Sequence, residues 1–173
     1  MLRHAIGMQE TPPNAVLVSL ALILTVFTMR PVIDEVKSQA YEPLVAAAIT
    51  EEVALDRAQS VMRKFLLKQT REKDIALMVE LSGEALPESA AQVSMLQLVP
   101  AFIINELRVA FQIGFIIFVP FLLIDLVVSA VLMALGMMMV PPSMISLPLK
   151  ILMFVLIDGW GLVVKALVSS FKL

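Results

Sequence analysis

The chain has 173 residues, 60% hydrophobic and only 16% charged, with a formal net charge of −2. Soluble domains run at about 45–50% apolar and about 25% charged, so this composition argues against a soluble domain and for an integral membrane protein. No basic surface points to nucleic acid; the absence of cysteine removes disulfides, thiolate zinc sites and thiol nucleophiles; one histidine, His4, is too few for histidine-based metal or triad chemistry. The glycines are scattered rather than grouped in a phosphate loop, so neither a cofactor nor an active site is expected.

Residues 1–14 are polar and carry Pro12-Pro13, without the basic, apolar and small-residue order of a cleavable signal. Insertion then uses the first apolar span as an anchor, or the natural beginning lies upstream. Asn14 is a candidate N-cap, and Ala15 to Met29 predicts one apolar helix near the lower length limit for spanning a bilayer. Residues 1–33 form this N-terminal segment.

Residues 34–95 differ in kind. Between 34 and 92 lie 11 acids and 7 bases, a net charge of −4. Thr50 is placed to cap a helix whose first turn holds Glu51 and Glu52, the sign the helix dipole favours. Leu55, Ala58, Met62, Phe65 and Leu66 then recur at helical spacing. A second helix over Arg71 to Leu81 ends at Ser82-Gly83. The pattern predicts a small amphipathic helical domain, with Phe65 on its packing stripe and Arg71 in a surface or interface ion pair. The alternative for Arg71 is a solvated face. Its acidity, set against Lys165 and Lys172 in the tail, places the domain outside the cytoplasm and the C-terminus inside.

Residues 96–173 are apolar again. Val109 to Val140 is an uninterrupted greasy run but for Pro120 and Asp125. As one helix it would be roughly 48 Å long, against a bilayer core of about 30 Å. It must therefore tilt, kink or fold back. Two helices are expected, about 100–119 and 121–139, then a break at Val140-Pro141-Pro142-Ser143 and a last segment from Leu147 to Leu173. The fold class is all-α membrane protein, with apolar helical hairpins beside the small polar helical domain.

The charges inside this sequence are the first candidates for function. An unpaired carboxylate in hydrocarbon costs several kcal/mol, so Asp125 should pair with a base such as Lys150, carry protons, or cap a helix near the interface. Asp158 has the same choices, with Lys165 or a neighbouring chain as its partner. Glu106 and Arg108 lie two apart, do not face each other on a helix, and each needs a partner on another segment or subunit. Met137, Met138 and Met139 would form a collar rather than a stripe if helical, since successive side chains point about 100° apart. Such soft side chains make a compliant seal in a channel, or lipid-facing filler otherwise. Trp160, between two glycines, is an interfacial anchor or a point of close helix approach.

Several blocks together resemble a known family. Pro100-Ala101-Phe102, Glu106-Leu107, Ala110-Phe111-Gln112-Ile113-Gly114-Phe115 and Pro120 resemble the first signature of the FliP family of flagellar biosynthetic proteins and its type III secretion relatives. Pro148-Leu149-Lys150, Phe154 and Asp158-Gly159-Trp160 resemble the second. Asp125-Leu126, Met133 to Met139, Pro141-Pro142, Thr11-Pro12-Pro13-Asn14 and Gln69-Thr70-Arg71-Glu72 extend the likeness over essentially the whole chain. Asn105 departs from it, standing where the family has a small hydroxyl residue or histidine.

The resemblance implies a non-enzymatic subunit of the flagellar export gate. Such a subunit sits in the bacterial inner membrane within the basal body. Several copies form a homo-oligomeric ring with FliQ and FliR, embedded in lipid, and pass unfolded exported proteins. It implies that Met137, Met138 and Met139 form the pore gasket. It also implies a signal peptide and a further hydrophobic segment before the position of Met1, so the chain is expected to be N-terminally truncated. The alternatives are an injectisome relative, a small ion or proton transporter using Asp125 and Asp158, and a scaffold subunit that never lines a pore.

Overall fold

The computed structural model describes residues 2–8, 10–83, 89, 92–137 and 139–172. Among these the protein is helical and carries no strand. A short α1 (Leu2–Ile6) precedes α2 (Asn14–Val36), which runs through a π-helical turn (Lys37–Tyr41) into α3 (Glu42–Val45). The charged helices α4 (Glu51–Gln69) and α5 (Glu72–Ser82) follow. Then come α6 (Met95–Ala134), α7 (Pro142–Leu156) and α8 (Gly159–Ser169).

Local chemistry explains the boundaries of the polar helices. The Thr50 hydroxyl accepts from the Val53 amide at 3.5 Å and starts α4, with Glu51 and Glu52 in its first turn. Gly83, at φ +69°, closes α5 in the left-handed conformation that costs glycine least. Both features were legible in the sequence.

Three expectations are corrected. The two helices expected over 100–119 and 121–139 are one helix, α6, of 40 residues. Pro100 and Pro120 each remove one amide hydrogen bond, but along apolar sequence no water competes for the backbone, and the helix continues. Likewise α2 does not stop near Ile33 but passes Pro31 to Val36. The last segment begins at Pro142, not Leu147, with Pro142 at the first helical position where its missing amide costs nothing. Within the polar N-terminal segment, α1 buries Ala5 and Ile6.

The chain divides into two compact units. One comprises Met1–Leu24 and Ala110–Ser170, the other Thr25–Val109 and Phe171–Leu173. In the first, Ala5, Ile6, Phe121 and Phe154 form the core, with the two phenylalanine rings 6.3 Å apart. In the second, Val32, Val61, Phe65, Leu66, Val93 and Leu98 form the core, and Phe102 and Phe171 pack on it. Each large apolar side chain buried there contributes about 1.5–3 kcal/mol.

The tail is fixed to the second unit by a reciprocal pair. The Gln69 side-chain amide donates to the Lys172 carbonyl at 2.8 Å, and the Lys172 amide donates to Gln69 Oε1 at 2.9 Å. The charged helices and the last residues of the chain thus belong to one folded unit.

Among the described residues, two helices are long and apolar enough to cross a membrane: the stretch Asn14–Val45 and α6. The pair α7 and α8, bent by 62°, makes a third if counted as one span. Most of their large apolar side chains are exposed, as lipid or neighbouring helices require. The protein is an all-α membrane protein.

Candidate functional site

Four places hold the residues singled out by the sequence. The first joins α6 to α7. Lys150 Nζ donates to Asp125 Oδ2 at 2.5 Å, with the lysine side chain 7% exposed and the aspartate 39%. Of the three readings for Asp125, the pair is the one observed. Ser129, Ser143 and Ser146 line a cavity of about 650 Å³ around it. A buried lysine without its carboxylate would be an isolated charge among apolar helices, so the pair fixes how these helices meet.

The second place lies at the foot of α6 in the other unit. Arg108 reaches the buried Asp74 of α5 through both terminal nitrogens, at 2.7 and 2.8 Å. Arg71 Nε adds a third bond at 3.1 Å, while Arg71 Nη2 stays buried without a partner. A two-pronged guanidinium–carboxylate contact is among the stronger charged hydrogen bonds and fixes orientation as well as distance. Arg108 therefore finds its partner on another segment of the same chain. Beside it, the Asn105 side-chain amide donates to the Gln69 carbonyl at 3.0 Å and to Glu106 Oε1 at 3.2 Å. Glu106 is thus met by its neighbour, not by Arg108. Phe65 is 7% exposed and packs on Phe102 with centroids 6.0 Å apart.

Asp74 was not among the residues singled out, and Gln69 and Lys172 were named without any contact between them. Asp74 reads in sequence as one more acid on a solvated helix, and only its place on the inner face of a short amphipathic helix hints at burial.

The third place is the joint between α7 and α8. Asp158 adopts φ +51° and ψ +57°, and its Oδ1 accepts from the Gly161 amide at 3.3 Å. Its helix-capping reading is the one observed. A Cβ at Gly159 would lie 2.2 Å from the Phe154 ring, and one at Gly161 would lie 2.2 Å from Asp158 Oδ2. The glycines on either side of Trp160 therefore let the corner close. Trp160 stacks edge-to-face on Phe154 at 5.6 Å and 86°.

The fourth is the methionine turn. α6 ends in a two-bond cap, Gly136 N to Met133 O at 3.0 Å and Met137 N to Leu132 O at 2.9 Å, with Gly136 at φ +72°. Met137 and Met139 thus lie in a turn, not on the helix expected to 139, because a left-handed glycine stops it. Met139 is 95% exposed and Met137 half-exposed. Met138 lies outside the described residues. Among the described residues no group of three or more acidic or histidine side chains could hold a metal ion.

The sequence is similar to known proteins over nearly its whole length. The FliP family model matches residues 1–167. Flagellar biosynthetic protein FliP of Bacillus subtilis (strain 168) is 50% identical over 169 residues, covering 98% of this chain and 76% of that protein. The protein of the same name from Pectobacterium carotovorum subsp. carotovorum is 51% identical over 171 residues, covering 99% of this chain and 66% of its own length. That of Cereibacter sphaeroides is 44% identical over 171 residues, covering 99% and 57%. The chain spans between just over half and three quarters of the length of these curated relatives. With a family match over nearly all of its residues, this all-helical membrane chain belongs to the FliP family.

Proposed function

We propose that this chain is a subunit of the flagellar type III protein export gate, a structural component of protein transport and not an enzyme. In this reading several copies assemble with FliQ and FliR in the inner membrane, within the flagellar basal body. The ring encloses a conduit for unfolded flagellar proteins. The charged unit faces away from the cytoplasm. Met137, Met138 and Met139 form a soft gasket at the narrowest point, where thioethers adapt to passing chain and limit ion leak.

The observation that carries the reading is the family match, extending unbroken through the methionine turn. That turn supports the gasket in particular. A rigid glycine cap and Pro141-Pro142 bracket it, while Met139 is almost wholly exposed. The flagellar reading is favoured over the injectisome one because the relatives matched are named as flagellar biosynthetic proteins. The ion-transporter reading loses support because Asp125 is held by Lys150 and Asp158 is used as a cap.

The test is a photo-reactive residue at position 139 in cells in which an exported protein is stalled in the gate. Cross-links from position 139 to the stalled chain, absent from a comparably exposed position such as Leu96, are expected. Equal labelling at both sites, or none at 139, would overturn the gasket.

A further inference from the structure

We propose that the groove between α2 and α4 seats the phosphate headgroup of an anionic membrane phospholipid, with Lys68 and Lys172 as its cationic contacts. The groove has an apolar floor of Val32, Val61 and Phe65 and a rim of Lys64, Lys68, Lys172 and Glu35, with Pro31 at one end. Lys64 Nζ is 3.2 Å from Glu35 Oε1, so those two charges answer each other. Lys68 and Lys172 enter no ion pair among the described residues, which leaves the rim with a charge of +2. Lys172 is held there, 103 residues from Gln69, by the Gln69 side chain bonding its main chain from both sides and by Phe171 packing on the core beside it.

The helix that forms one wall says what kind of anion fits. Phe27, Pro31 and Glu35 are four residues apart and so share one face of α2. Ile23, four residues before Phe27, and Phe27 itself are 66% and 65% exposed on the apolar part of that helix. The exposed apolar stripe therefore leads directly into the lysine-rimmed groove. An acyl chain along Phe27 with its phosphate between Lys68 and Lys172 satisfies both halves at once. The groove, of about 130 Å³, takes a headgroup rather than a folded partner segment. Cationic side chains beside a bilayer attract anionic lipid at a strength of roughly fivefold in affinity per lysine. The proposal rests on α2 meeting lipid and not on the export role, so either can fail while the other stands.

The test titrates the full chain, purified in a mild non-ionic detergent, with dioleoylphosphatidylglycerol and, separately, dioleoylphosphatidylcholine. Saturable binding of the anionic lipid and little of the zwitterionic one is expected. The double variant Lys68→Gln/Lys172→Gln, both positions exposed, should weaken the anionic lipid by about 30-fold. Lys165→Gln should leave it unchanged, and Lys68→Arg should retain it. Equal affinity for both lipids, or an unaffected double variant, overturns the proposal. So does glycerol 3-phosphate binding as tightly as the lipid, which would make the site one for a free phosphate. Binding of a polyglutamate peptide with no preference for anionic lipid would make the groove a protein contact and overturn it equally.

Discussion

Asp74→Ala removes the acceptor of three charged N–H groups, two from Arg108 and one from Arg71. Asp74 is 3% exposed, so no water replaces it on that side. Removing one partner from a buried ion pair costs about 3–5 kcal/mol. Arg108 is 36% exposed and recovers part of its hydration, which moves the expected loss to the lower end, about 3 kcal/mol. Arg71 contributes less of this, since it offers one nitrogen against two from Arg108 and its own side chain is 38% exposed. The ordering follows: Asp74→Ala and Arg108→Ala cost far more than Arg71→Ala, and a double-mutant cycle between positions 74 and 108 gives a coupling of about 1.5–3 kcal/mol. Denaturant unfolding of the full chain in detergent, followed by helical circular dichroism, measures all four. Asp74→Ala falling within about 0.5 kcal/mol of the parent, the size of an ordinary surface change, would refute the reasoning.

Replacing Met137, Met138 and Met139 together with alanine leaves assembly intact and raises small-ion leakage through the gate; unchanged conductance in a bilayer recording counts against the gasket. Lys150→Glu sets two carboxylates side by side and lowers the yield of assembled particle, whereas Asp125→Lys/Lys150→Asp restores it. Failure of that exchange to rescue would mean that Lys150 acts through a group other than Asp125. Gly159→Ala drives a methyl into the Phe154 ring and costs about 1–3 kcal/mol, with a shift in emission from Trp160, the only tryptophan. An unshifted emission and unchanged stability would show that the corner opens without strain.

Much of the architecture was legible because it follows from local chemistry. The Thr50 cap, the Gly83 stop and the break at the double proline depend on nearest neighbours, and all three appear where the residues put them. Asp125 and Lys150 were legible as a pair because hydrocarbon leaves a lone charge few choices. The continuity of α6 was not. A rule that proline ends helices assumes water ready to take the freed carbonyl, and around Pro120 there is only apolar sequence. The role of Asp74 was hidden for the opposite reason: in a charged helix any acid is most simply solvated, and burial depends on α6 arriving from far along the chain. The clamp between Gln69 and Lys172 joins positions 103 apart and leaves no periodic trace.

The most direct test is a density map of the particle purified with its flagellar partners. The Met137–Met139 turns of several copies are predicted to converge on a central axis and narrow it. Turns that instead project from the outer wall into detergent, leaving the axis lined by other residues, would contradict the role given to this chain.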